Sequence, residues 1–119
     1  FSKPSTQERL YVIDMKNRRL LYKSLVAHGR GSGDTYATSF SNTPGSHQSS
    51  LGFYLTLNTY QGRNGYSLRL DGLEPGINDK AYERAIVIHG ADYCTKAFLN
   101  TAGRLNSPIL SDSETFAMQ

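Results

Sequence analysis

His89 closes the run Ala85-Ile86-Val87-Ile88 and is followed directly by Gly90, Ala91, Asp92 and Tyr93. Imidazole is the side chain suited to moving protons near neutral pH. A strand that hands over to a loop is a frequent place for such a group, because the strand is rigid and the loop is open. The same position also suits a buried structural histidine, and spacing alone leaves both readings open. Cys94, the single cysteine, lies five positions later. Near a helix start its thiol would be partly ionised and nucleophilic. Small cysteines more often act as plain hydrophobes, and that is the expected role of Cys94. His28 and His47 sit in polar loops, with no His-x-x-x-His pattern and no paired carboxylates, so no metal site is expected.

The elements that must position His89 can be read from apolar patterning. Four apolar residues, mostly β-branched, predict a buried strand from Ala85 to His89, ended by Gly90. Leu10 to Met15 predicts a strand, Lys16 to Arg19 a turn, and Leu20 to Ala27 the returning strand of a hairpin with an apolar face. Phe1 to Glu8 is polar and reads as a loose lead-in. The glycine-dense stretch His28 to Asp34 lacks Gly-Lys-Ser/Thr and a following apolar helix, which argues against a phosphate cradle. Residues 37–50 are rich in Ser, Thr, Asn and Gly and contain the turn Asn42-Thr43-Pro44-Gly45.

A strand follows from about Phe53 to Leu57, a bend at Asn58 to Gly62, a tight turn at Asn64-Gly65, and an alternating strand from Tyr66 to Leu70. Gly72 to Gly76 is a further turn. Asn78 to Arg84 predicts a short helical link capped by Asn78 or Asp79. Asp92 predicts the cap of a helix from Tyr93 to about Thr101, ended by Gly103. The tail beyond Leu105 is polar, and its Ser-Asp-Ser-Glu run reads as a helix start. The fold class is mainly β, with short helices at the edge of a site.

At 119 residues the chain is one domain, 1–119, able to bury a core. Thirteen Lys and Arg against ten Asp and Glu give a net charge of +3. These basic residues are scattered rather than gathered in a stripe, so a nucleic-acid partner is not expected. One cysteine excludes an intrachain disulfide. No stretch reaches the roughly 20 apolar residues of a membrane span. Phe1 is not a natural start, so the chain reads as mature or trimmed.

Taken together, Ile88-His89-Gly90-Ala91-Asp92-Tyr93 and Gly103-Arg104-Leu105 resemble the active-site approach of the L,D-transpeptidase catalytic domain family, in its murein transpeptidase-like branch. The likeness runs from the hairpin at Leu10 to Leu105. It implies a twisted, mainly antiparallel β-sandwich, no cofactor, an exported protein, periplasmic or cell-wall associated, and peptidoglycan stem peptides as partners. It also implies acyl transfer through a cysteine thioester, with His89 as base and Gly90 allowing close approach to the backbone. Arg104 and Tyr93 would then bind substrate.

The pattern departs after Leu105. The family continues to Ser-x-Gly-Cys, whereas this chain reads Asn106-Ser107-Pro108-Ile109-Leu110. Two expectations follow. Either the domain is incomplete after about residue 105, or it is a catalytically inactive module that binds peptidoglycan on the same fold.

Overall fold

The computed structural model describes residues 1–90 and 116–118. Seven strands run in chain order: β1 (Leu10–Asp14), β2 (Arg19–Ser24), β3 (Val26–Ala27), β4 (Tyr54–Gly62), β5 (Gly65–Gly72), β6 (Val87–Gly90) and β7 (Phe116–Met118). β1 and β2 form a two-stranded antiparallel sheet, and the others form a five-stranded sheet in the order β3-β7-β6-β5-β4. All neighbours in the larger sheet are antiparallel except β3 and β7, which run parallel. The fold is mainly β, as the sequence predicts, and the described residues contain no helix.

The hairpin forms where its apolar alternation places it, and Asp14 fixes its turn. The Asp14 carboxylate accepts from the backbone N–H of Lys16 at 3.1 Å and of Asn17 at 3.2 Å, and from the Asn17 amide at 2.8 Å. These donors hold the carboxyl below the usual Asp range, the Asn17 side chain contributing most. The returning strand differs from the sequence reading in one respect. It breaks at Leu25, so that Arg19–Ser24 pairs with β1 while Val26–Ala27 crosses into the larger sheet. The hairpin's large residues, Ile13, Met15, Leu20 and Tyr22 among them, are exposed.

Phe1 to Glu8 is anchored rather than loose. Ser5 is fully buried and its N–H donates to Thr35 O at 2.9 Å. The Phe1 ring packs on Phe40 at 5.8 Å and edge-on to His28 at 6.3 Å, and the Arg9 guanidinium lies over it at 5.1 Å. Polar composition hid this segment's role, because one half-buried aromatic is enough to dock it.

The β4–β5 hairpin closes through Arg63-Asn64, with Gly62 opposite Gly65 and Gly65 at φ 84. The bend expected at Asn58 to Gly62 takes the form of a register shift between Thr56 and Thr59 inside one continuous strand. The core lies on the face of β5 and β6 that carries Leu70 and Ile88. Leu70, Ala81 and Ile86 are buried there, with Tyr54 and Ile88 packed against them. Burying one such side chain is worth about 1.5–3 kcal/mol.

The link from Asn78 to Arg84 is a chain of turns and not a helix. Its bonds mix spans: Ala81 N–H to Asn78 O, Arg84 N–H to Lys80 O, and Ile86 N–H to Ala81 O. Asn78 does not cap the segment. Its side chain accepts from Glu74 N–H at 2.9 Å and donates to Phe53 O at 2.9 Å, and its carbonyl lies against Gly72. Arg84 is drawn outward to the serine-rich loop. It donates to Ser41 O and Gln48 O at 2.7 Å each, to Ser50 Oγ at 3.0 Å and to Ser46 Oγ at 3.1 Å. So short a segment cannot propagate a helix against these tertiary bonds.

Ala85 then takes φ 57, and β6 begins at Val87, two residues later than the apolar run suggests. β7 is a strand that the polar tail does not predict. Phe116–Met118 inserts between β3 and β6, its backbone pairing with both. The helices expected over residues 93–101 and in the tail, apart from Phe116–Met118, lie outside the described residues.

Candidate active site

Strand register brings five residues into one row across the larger sheet: Ala27, Ala117, His89, Ser67 and Tyr60, one from each strand. His89 is the third residue of β6, 2 % exposed, and is gripped between β5 and β7. Val87 precedes it on the same face and is buried, while Ile86 and Ile88 lie toward the core on the other. Both faces of β6 are therefore occupied, which is why the sequence there is a continuous apolar run.

The imidazole has a defined tautomer. Nδ1 lies 2.9 Å from Gly90 O. A carbonyl oxygen can only accept, so Nδ1 carries the proton. In the neutral ring Nε2 is then the unprotonated nitrogen, and it is buried without a hydrogen-bond partner among the described residues. A buried acceptor left unpaired costs about 1–3 kcal/mol, and such positions ask for an explanation. A nitrogen held bare and fixed in direction is what a general base requires.

Ser67, opposite His89, is 2 % exposed, and its hydroxyl donates to Gly65 O at 3.1 Å. Arg69 is two residues further along the same face of β5, opposite Val87, and its guanidinium sits 3.9 Å from the centroid of the Tyr60 ring. Neither residue stands out in the sequence. Alternation in Tyr66 to Leu70 puts Ser67 and Arg69 on one face, but the pairing with β6 that brings them beside His89 is not written locally.

The other histidines are occupied elsewhere. His28 is buried rather than in an open loop. Its Nε2 donates to Gly33 O at 2.9 Å, and its Nδ1 accepts from Arg9 Nη2 at 2.9 Å. His47 is exposed and its Nε2 accepts from Arg30 Nη2 at 2.8 Å. Among the described residues no three of His, Cys, Asp and Glu converge as metal ligands. Gly90 ends β6 and pairs with Phe116. Tyr93, Cys94 and Arg104 lie outside the described residues.

A model of the L,D-transpeptidase catalytic domain matches residues 1–109 of the sequence. The chain belongs to that family. No curated protein and no solved structure matched it. As an L,D-transpeptidase-type domain it shares a family whose substrates are peptidoglycan and whose members are typically extracytoplasmic. Among its described residues no helix is long and apolar enough to cross a membrane. The β5–β6 face with His89 is where this L,D-transpeptidase domain carries its one bare, buried imidazole nitrogen among the described residues.

Proposed function

We propose that the chain carries the acyl-transfer face of a peptidoglycan L,D-transpeptidase, with His89 as the base. The observation that supports this is the imidazole itself, tied through Nδ1 to Gly90 O and bare at a buried Nε2. In the reaction a thiol gives its proton to His89 Nε2 while sulfur bonds to the carbonyl carbon of the third stem residue. The bond from that carbon to the terminal D-alanine nitrogen breaks, and the imidazolium returns the proton to the departing amine. An amine of a neighbouring stem, or water, then takes the acyl group from sulfur. Gly90 allows the acyl chain close to the backbone, and Arg104 and Tyr93 contact substrate. The nucleophile belongs on the loop after Arg104, and Cys94 is structural. The protein acts outside the cytoplasm, at the wall.

A second reading is a catalytically inactive module that binds peptidoglycan on the same fold. It is favoured by Leu105-Asn106-Ser107-Pro108, which stands where the family pattern has Ser-x-Gly-Cys.

Carbapenem labelling of the complete gene product, followed by peptide mapping, separates the readings. The enzyme gives an adduct on a cysteine beyond Arg104 that is lost in His89→Gln. Rapid, His89-dependent modification of Cys94 would make Cys94 the nucleophile instead. Binding of a stem tetrapeptide with no adduct on any cysteine would leave the binding module.

A further inference from the structure

The Arg69 guanidinium, diagonal to His89 across the β5–β6 pair, is an anion-binding fork with no hydrogen-bond partner among the described residues. It is partly buried, and it lies over the Tyr60 ring with its carbon 3.9 Å from the centroid. Attraction to the face of a ring holds a guanidinium in place without consuming its N–H groups. Among the described residues Arg69 donates no hydrogen bond and forms no ion pair, and Asp71, two positions on along the same face, does not neutralise it. The strand and the ring therefore hold a charged fork whose donors are unused among the described residues.

The surroundings define what that is. Arg69 and Tyr60 line a cavity of about 250 Å³ together with Tyr82 and Val87. Sites that enclose a drug-sized ligand run to about 300–1,000 Å³, so this one suits a single end group of a longer molecule. Arg69 is opposite Val87 and diagonal to His89, a separation of about 7–8 Å between backbone positions. An extended peptide advances about 3.3–3.6 Å per residue, so a peptide whose reacting carbonyl meets His89 reaches Arg69 within one or two residues. A planar fork matches a carboxylate through two parallel N–H···O bonds.

We infer that Arg69, seated on Tyr60, is the anchor for a free carboxylate of the peptide substrate, one or two residues from the bond that reacts at His89. The assignment of His89 to the reacting bond rests on the function proposed above; the carboxylate site does not.

The test is an NMR titration of the full chain, reading the Arg69 Nε–H and the His89 ring signals. The probes are N-acetyl-D-alanine, its C-terminal amide, and a stem tetrapeptide. N-acetyl-D-alanine shifts the Arg69 signal saturably, and the amide does not. Arg69→Gln and Tyr60→Leu weaken N-acetyl-D-alanine by about tenfold, the scale of one charge-assisted hydrogen bond, and leave the amide unchanged. Arg69→Lys keeps the charge and the fold but loses the fork, and falls between. Equal responses to acid and amide, or an Arg69→Gln chain that titrates like the native one, overturn the anchor. A stem tetrapeptide that moves His89 but not Arg69 also overturns it, while sparing the peptidoglycan reading. N-acetyl-D-alanine binding at Arg69 without any response to the tetrapeptide supports the anchor and removes peptidoglycan.

Discussion

Ser67 lies directly across the β5–β6 ladder from His89, and its hydroxyl donates to Gly65 O at 3.1 Å. Directly opposed residues on a sheet have Cβ atoms about 4.5–5.5 Å apart, so whatever occupies position 67 sets the room available to the ring. Ser67 contributes by being small and by satisfying its own polar group locally.

Volume at position 67 should therefore matter more than its hydroxyl. Ser67→Ala loses one hydrogen bond and should cost about 0.5–1.5 kcal/mol in urea unfolding, with the His89 ring signals unmoved. Ser67→Leu overfills a buried site, should cost about 1–3 kcal/mol, and should shift those signals. If Ser67→Ala moved the His89 ring as much as Ser67→Leu, the hydroxyl and not the volume would be positioning it.

His89 itself should show the Nδ1–H tautomer at neutral pH in long-range nitrogen–proton spectra. The Gly90 carbonyl can accept from no other form of that nitrogen. An Nε2–H tautomer would leave the Gly90 contact repulsive and the general-base role without a lone pair.

Much of this arrangement is legible in the sequence because it is local. The alternation of Tyr66 to Leu70, the Asn64-Gly65 turn signal and the apolar run into His89 each predict their strand. The pairing of those strands is not local. Nothing near Arg69 says that Val87 will lie opposite it, and nothing near Phe116 says that it will pair with Gly90. The segment 78–84, with Asn78 or Asp79 as a cap, predicts a short helix. Its outcome is decided by partners far away in sequence, Phe53 for Asn78 and the 41–50 loop for Arg84. Tertiary hydrogen bonds of that kind override a short segment's propensity.

Arg84 should be a structural pin for the serine-rich loop. It satisfies two carbonyls and two hydroxyls from one guanidinium, and partial burial pulls its pKa below the usual arginine value. Arg84→Met should destabilise the chain by roughly 1.5–3 kcal/mol and expose residues 41–50 to protease, with Arg84→Lys milder because one ammonium cannot replace the fork. Unchanged cleavage in Arg84→Met would show that the loop is held by its own turns.

Gly72 should not tolerate a side chain. A Cβ there would overlap the carbonyl and side chain of Asn78, which is itself fully buried. The obstacle is main chain, so it cannot swing aside. Gly72→Ala should cost about 1–3 kcal/mol or more, read as a lower urea midpoint at unchanged slope. A neutral Gly72→Ala would mean that the 74–85 turns shift freely relative to β5.

Tyr54 should give the chain an alkaline limit. Burial raises its pKa above the ordinary 10.0, and its O–H donates to Ser50 O at 2.9 Å. The unfolded chain therefore loses the phenolic proton first. Between the unfolded and folded pKa values the native state binds more protons, so stability falls as pH rises through that window. The contribution is fully present below about pH 10 and is gone above the folded pKa. Tyrosinate absorbance should show a late-titrating phenol in the folded chain that disappears in Tyr54→Phe. The urea midpoint of Tyr54→Phe should also decline less steeply above pH 10 than that of the native chain. Parallel declines in the two chains would assign the alkaline loss to other groups.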